Sequence, residues 1–215
     1  MQIDRAEALR YMGACGAPDA QTTALLDSVE AELLPALTPK CLFLETDFQR
    51  TGEAQLEISG LRFQSRDLCR CLQDAERLLL FAATLGPGAD RLQRRYAAAG
   101  ETAKAAAAQA LGAAAIESYC DAVCAEYAAK LQGEGLFLTP RFSPGYGDLP
   151  LEAQRTFFQL FDISKRIGLT LTDACMMLPT KSVTAFLGVR RAPACEKSGC
   201  ASCQKTECAY RKGEG

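Results

Sequence analysis

Apolar residues recur along this chain at two spacings, and the switches between them predict its elements. Ala8, Leu9 and Met12 share one side of a short helix that Asp4 starts and that Gly13 and Gly16 end. Leu25, Leu26, Val29 and Leu33 then fall at helical spacing, so residues 20–36 read as an amphipathic helix opened by Asp19 and stopped near Pro39. Residues 41–47 and 54–63 carry strand patterns, the second alternating around Leu56, Ile58 and Leu61, and the two are expected to pair as a hairpin. Ser65 caps a helix through residue 75, and residues 78–84 form a short, wholly apolar run of the kind a central strand needs.

Alanine dominates the next stretch. Its helix propensity predicts two helices parted at Gly100, one ending near Tyr96 and the other spanning residues 102–131, with Leu111, Ile116, Tyr119, Val123 and Tyr127 giving the second a face. Glu117 and Asp121 stand one turn apart on it. Like charges at that spacing repel when both are exposed, so one of them is expected to do something other than face solvent. A helix over residues 151–167 with Phe157, Phe158, Leu160 and Phe161 turned inward ends at Gly168, and residues 169–171, 174–178 and 183–189 return as strands. The class is α+β with flanking helices on an antiparallel or mixed sheet. At Arg190 the composition changes, which divides the chain into a domain over residues 1–190 and a Cys-rich tail over 191–215.

Composition narrows the function classes. The net charge of −2 argues against a nucleic-acid surface. No apolar run reaches the roughly 20 residues of a membrane span, and the N-terminus lacks a signal peptide's apolar core, so a cytoplasmic protein is expected. With no histidine, mechanisms built on an imidazole base or ligand are excluded.

Between the helices and the last strands lies the densest chemistry, residues 138–150. Pro140 and Pro144 restrict the backbone, Gly145 and Gly147 leave its polar groups uncovered, and Arg141 offers a planar fork of donors suited to a carboxylate or phosphate. Read alone, the stretch suits a ligand loop and an ordinary turn equally.

Arg141-Phe142-Ser143-Pro144-Gly145-Tyr146 resembles the Arg-x-x-x-Gly-Tyr motif of the activation (reactivation) domain of cobalamin-dependent methionine synthase. Residues 161–173 are similar to that family's helix-Gly-x-x-Leu-Thr-Glu segment, and Pro179-Thr180-Lys181-Ser182-Val183-Thr184-Ala185-Phe186 to its Pro-Gly-x-Ser-Val-Ser-Gly strand, so the resemblance covers residues 60–190 in order. It implies a domain that binds S-adenosylmethionine and supports reductive methylation of cob(II)alamin on a cobalamin-binding methionine synthase or related corrinoid protein. Arg141 would hold the methionine carboxylate, Ser143, Gly145 and Tyr146 would touch the ligand, Glu117 would accept hydrogen bonds from it, and Ser182 and Thr184 would line the groove. The family's larger members also carry an acidic ligand residue in an N-terminal segment, for which Asp4, Asp19 and Glu45 offer no clear match, and a tyrosine where this chain has Leu187. Two further readings stay open: a non-catalytic module that binds the corrinoid protein, and an iron–sulfur accessory protein for electron transfer.

The tail adds chemistry of its own. Cys195, Cys200, Cys203 and Cys208 place four thiolates within fourteen residues, which suits zinc or an iron–sulfur cluster. A cluster could pass on the electron that reductive methylation consumes, with a flavodoxin or ferredoxin as donor, and the tail's lysines suit docking to such an acidic carrier. The remaining cysteines, Cys69, Cys120, Cys124 and Cys175 among them, read as buried apolar residues within helix and strand patterns.

Overall fold

A computed structural model describes residues 1–14 and 17–191. In chain order its elements are α1 (Arg5–Tyr11), α2 (Ala20–Ala36), β1 (Lys40–Thr46), β2 (Phe48–Arg50), β3 (Gln55–Ile58), β4 (Leu61–Gln64) and α3 (Arg66–Cys71). There follow β5 (Arg77–Thr84), α4 (Gly88–Ala98), α5 (Thr102–Gln132), β6 (Phe137–Leu138), a 3₁₀ turn (Leu151–Gln154), α6 (Arg155–Leu160), α7 (Ile163–Ile167), β7 (Thr170–Leu171), β8 (Met177–Leu178) and β9 (Ser182–Arg190). The main sheet runs β1-β5-β9-β6, every pair antiparallel.

β5 and β9 are buried on both faces, as their unbroken apolar runs require, and successive side chains feed two cores. Leu79, Phe81, Ala83, Ala185, Leu187 and Val189 pack toward α1, α2, α4 and α5. Leu78, Leu80, Ala82 and Phe186 pack toward the small β2-β3-β4 sheet, α3, α6 and α7. Ala107, Ala108, Ala114 and Ala115 are fully buried, so the small side chains of α5 let a 31-residue helix lie close on the sheet. The capping residues act as expected: Asp4, Asp19 and Ser65 accept from the N–H groups of Glu7, Thr22 and Leu68.

Five expectations are corrected. β1 does not pair with the 54–63 stretch; it pairs with β5, from Lys40↔Thr84 to Thr46↔Leu78. The 54–63 stretch is itself a hairpin, β3 and β4 joined at Ser59 and Gly60, whose φ values of 48° and 81° make the tight turn that favours a two-residue connection. The helix after Ser65 stops at Cys71, short of residue 75. The 151–167 helix breaks at Phe161, which is extended (φ −139°, ψ 146°), and the change of direction lets Phe157, Ile163 and Ile167 all bury in one core. β7 and β8 pair only with each other, so β9 alone returns to the main sheet, and Cys175 occupies the turn between them at φ 57°.

Candidate functional site

The site grows from a fault in the sheet's register. β6 follows β9 as Phe137↔Arg190 and Leu138↔Val189, and the Thr139 N–H then donates to Gly188 O at 2.8 Å. The next pair is Phe142↔Phe186, bonded in both directions at 3.0 and 2.8 Å. From Thr139 to Phe142 is three steps on the edge segment against two on β9, so one extra residue bulges out at Pro140 and Arg141. A bulge turns a side chain off its regular face, and proline, lacking an N–H, is at home in one. Gly188 lets the edge come this close: a Cβ there would stand 2.9 Å from Ala75 Cβ and 3.0 Å from Thr139 Cγ2.

Phe142 faces the Phe186 core, while Arg141 reaches the other way, to α5. Its Nη2 donates to Glu117 Oε2 at 2.8 Å and to Asp121 Oδ1 at 2.9 Å. The two acids one turn apart are thus reconciled by a shared cation. The Arg141 side chain is only 18% exposed, and its Nη1 is buried with no hydrogen-bond acceptor among the described residues. A donor held out of water without a partner is unfavourable unless a ligand completes it.

Beyond the bulge the loop closes on itself. The Tyr146 N–H donates to Ser143 O at 3.1 Å, the Gly145 N–H to Leu149 O at 3.0 Å and the Leu149 N–H to Tyr146 O at 3.0 Å. Gly145 and Gly147 adopt φ values of +89° and +54°, and a Cβ on Gly147 would stand 2.3 Å from Asp67 Oδ2, so both positions need glycine. Tyr146 is 57% exposed and meets Phe142 edge to face, with centroids 6.3 Å apart. Desolvation first, and Glu117 second, push its phenol up, with Arg141 opposing.

Asp148 anchors the loop to α3. Its carboxylate accepts from the Ser65 hydroxyl, from the Arg66 N–H at 2.8 Å and from the Asp67 N–H at 3.2 Å. Desolvation, the largest influence, raises its pKa; the hydrogen bonds from Ser65, Arg66 and Asp67 together outweigh it and hold the carboxyl below its ordinary value.

Arg141, Glu117, Ser143, Gly145 and Tyr146 therefore gather around the open end of the bulge. Ser182 and Thr184 do not join them: they share the Phe186 face of β9, away from Arg141. Ser182 Oγ lies 2.8 Å from both Thr84 Oγ1 and the Pro179 carbonyl, and Thr184 Oγ1 is buried with no partner among the described residues. Leu187, fully buried in the helix-side core, forms none of the site's surface.

Asp121, Glu7 and Tyr11 reach the site without having been assigned to it. The Asp4 N–H donates to Ser118 Oγ at 3.3 Å and pins α1 beside Glu117. Glu7 is buried there, and Tyr11 donates to its Oε1 at 3.3 Å. Burial, then Glu7 and Glu117, push the Tyr11 phenol up to about 12. The signal was the Glu7–Tyr11 spacing of one helical turn. Asp4 and Asp19 are spent as caps, and Glu45 faces Arg77 at 3.6 Å.

Among the described residues no group of three or more metal-ligating side chains could hold a metal ion, and Cys41, Cys69, Cys71, Cys120, Cys124 and Cys175 are free. Cys195, Cys200, Cys203 and Cys208 lie outside the described residues. No described helix is long and apolar enough to cross a membrane.

Fold and site together define an α+β domain that presents an arginine and two carboxylates beside a glycine-rich loop at the edge of its sheet. The profile of the vitamin B12-dependent methionine synthase activation domain matches residues 70–212, and the chain belongs to that family. The crystal structure of the MetH reactivation domain bound to AdoHcy superimposes with a TM-score of 0.65 at 18% identity, covering 86% of this chain and 73% of that one. This likeness establishes the shared fold. No curated protein matches the chain.

Proposed function

We propose that this chain binds S-adenosylmethionine at the Arg141 loop and supports reductive methylation of cob(II)alamin carried by a separate methionine synthase or related corrinoid protein. The observation that carries the reading is the buried, unpartnered Nη1 of Arg141 beside a loop that Gly145 and Gly147 turn through positive φ. A ligand carboxylate fits that donor, and Glu117 and Glu7 supply the negative field that an ammonium and a sulfonium need. The exposed Tyr146 ring can lie against the cation. Family membership and a fold shared with a domain crystallised with AdoHcy support the same ligand class. The cobalamin would supply the metal-centred chemistry from the partner, while this chain's residues hold and orient the methyl donor.

The cysteine tail belongs to this proposal. Four thiolates at positions 195, 200, 203 and 208 suit zinc or an iron–sulfur cluster, and the family match runs on to residue 212 across them. A cluster fed by a flavodoxin or ferredoxin in the cytoplasm would deliver the electron; zinc would brace the tail.

The test combines the chain with a cob(II)alamin-loaded corrinoid protein, a reductant and S-adenosylmethionine, and follows methylcobalamin by its visible absorbance. Methylation that depends on the chain supports the reading. Co-purification with the corrinoid protein but no methylation would instead leave a docking module. Metal content of anaerobically purified protein distinguishes cluster, zinc and free thiols.

A further inference from the structure

The hydrogens of Arg141 are already committed in a telling way. Each terminal guanidinium nitrogen carries two N–H groups. Nη2 uses both, one on Glu117 at 2.8 Å and one on Asp121 at 2.9 Å, while the buried Nη1 has no acceptor among the described residues. A carboxylate gripped side by side needs one hydrogen from Nη1 and one from Nη2. In the structure as it stands such a ligand could be held by Nη1 alone. One of the two protein carboxylates must let go before the fork can close.

The two differ in what leaving would cost them. Glu117 has a side chain 34% exposed, whereas that of Asp121 is 69% exposed. An exposed carboxylate exchanges its ion pair for water at little loss; a more enclosed one does not. We propose that Asp121 is an internal stand-in for the ligand's carboxylate: it occupies Arg141 when the site is empty and is displaced when a carboxylate enters. Glu117 stays on the other Nη2 hydrogen and keeps the guanidinium plane aimed at the loop. Asp121 is thus a positioning residue that sets affinity by competition. The inference rests on the reading of the Arg141 loop as a carboxylate site.

Calorimetric titrations of wild type, Asp121→Asn and Asp121→Ala with S-adenosylmethionine, L-methionine and L-methionine methyl ester test it. Removing an exposed competitor tightens the two carboxylate ligands by about fivefold, the factor that corresponds to an exposed ion pair at the upper end of its range. The ester, which lacks the carboxylate charge, gains nothing, and that contrast is one a merely structural role for Asp121 would not produce. Variants that bind both carboxylates as weakly as wild type, or more weakly, overturn the displacement and leave the site reading intact where wild type still binds S-adenosylmethionine. A gain for L-methionine with no binding of S-adenosylmethionine by any of the three proteins supports displacement and overturns the ligand assignment. Absence of binding by either carboxylate ligand overturns both.

Discussion

Asp148→Asn separates the anchoring of the loop from the chemistry it displays. The three N–H groups that open α3 all find side-chain acceptors: those of Arg66 and Asp67 on Asp148 and that of Leu68 on Ser65 at 3.0 Å. Ser65 in turn donates to Asp148. Asparagine replaces one acceptor oxygen with a donor that meets another N–H or hydroxyl, and removes the negative charge at the helix start. Loss of a cap costs about 1 kcal/mol and loss of the charge about 0.5 kcal/mol, so the variant is expected to be destabilised by about 1–2 kcal/mol. For a chain of this size that is a fall in melting temperature of about 2–8 °C.

The pH dependence fixes the cause. The carboxyl of Asp148 is held below its ordinary value of 3.8, so its contribution is fully present above that value and is lost as pH falls through the lower folded-state pKa. Thermal melts followed by circular dichroism should show the gap between wild type and Asp148→Asn constant near neutral pH and closing as acid carries the pH below the ordinary value of 3.8. Equal melting temperatures at neutral pH, or a gap that ignores acidification, would refute the anchoring role.

Two further substitutions test the site's construction. Arg141→Met removes two partly exposed ion pairs but also the buried unsatisfied Nη1, so unfolding in urea should change by no more than about 1 kcal/mol; a loss above about 3 kcal/mol would mean that Arg141 is primarily structural. Gly188→Ala drives a Cβ to 2.9 Å from Ala75 and 3.0 Å from Thr139, and should cost about 1–3 kcal/mol in the same assay while weakening ligand binding, because it pushes β9 away from the bulge. Unaltered stability would show that the edge segment does not pack tightly against Gly188.

Much of this architecture was legible because it is local. Asp4, Asp19 and Ser65 cap helices through N–H groups three residues on, β5 declares itself by an unbroken apolar run, and Gly100 parts α4 from α5. Pairing was less legible. Alternation identifies a strand but not its partner: it points β1 to its neighbour in sequence, whereas β1 pairs with the buried β5, which offers a longer apolar ladder. The Ser59-Gly60 turn was a readable hairpin signal inside what looked like one strand. At the site, Arg141, Glu117 and the glycines stood out by residue type. The bulge that aims Arg141 did not, since it is a property of register against β9. The Asp148 anchor joins Ser65 across 83 positions, a separation that no local pattern reports.

The most direct test of the account is equilibrium binding of S-adenosylmethionine to the purified chain by isothermal titration calorimetry, with Arg141→Met alongside. The account predicts saturable binding at one site, weakened in the variant by about 2–4 kcal/mol, the loss expected for a charge-assisted pair at a partly buried position. No saturable heat with the wild-type chain, or equal affinity in the variant, would contradict it.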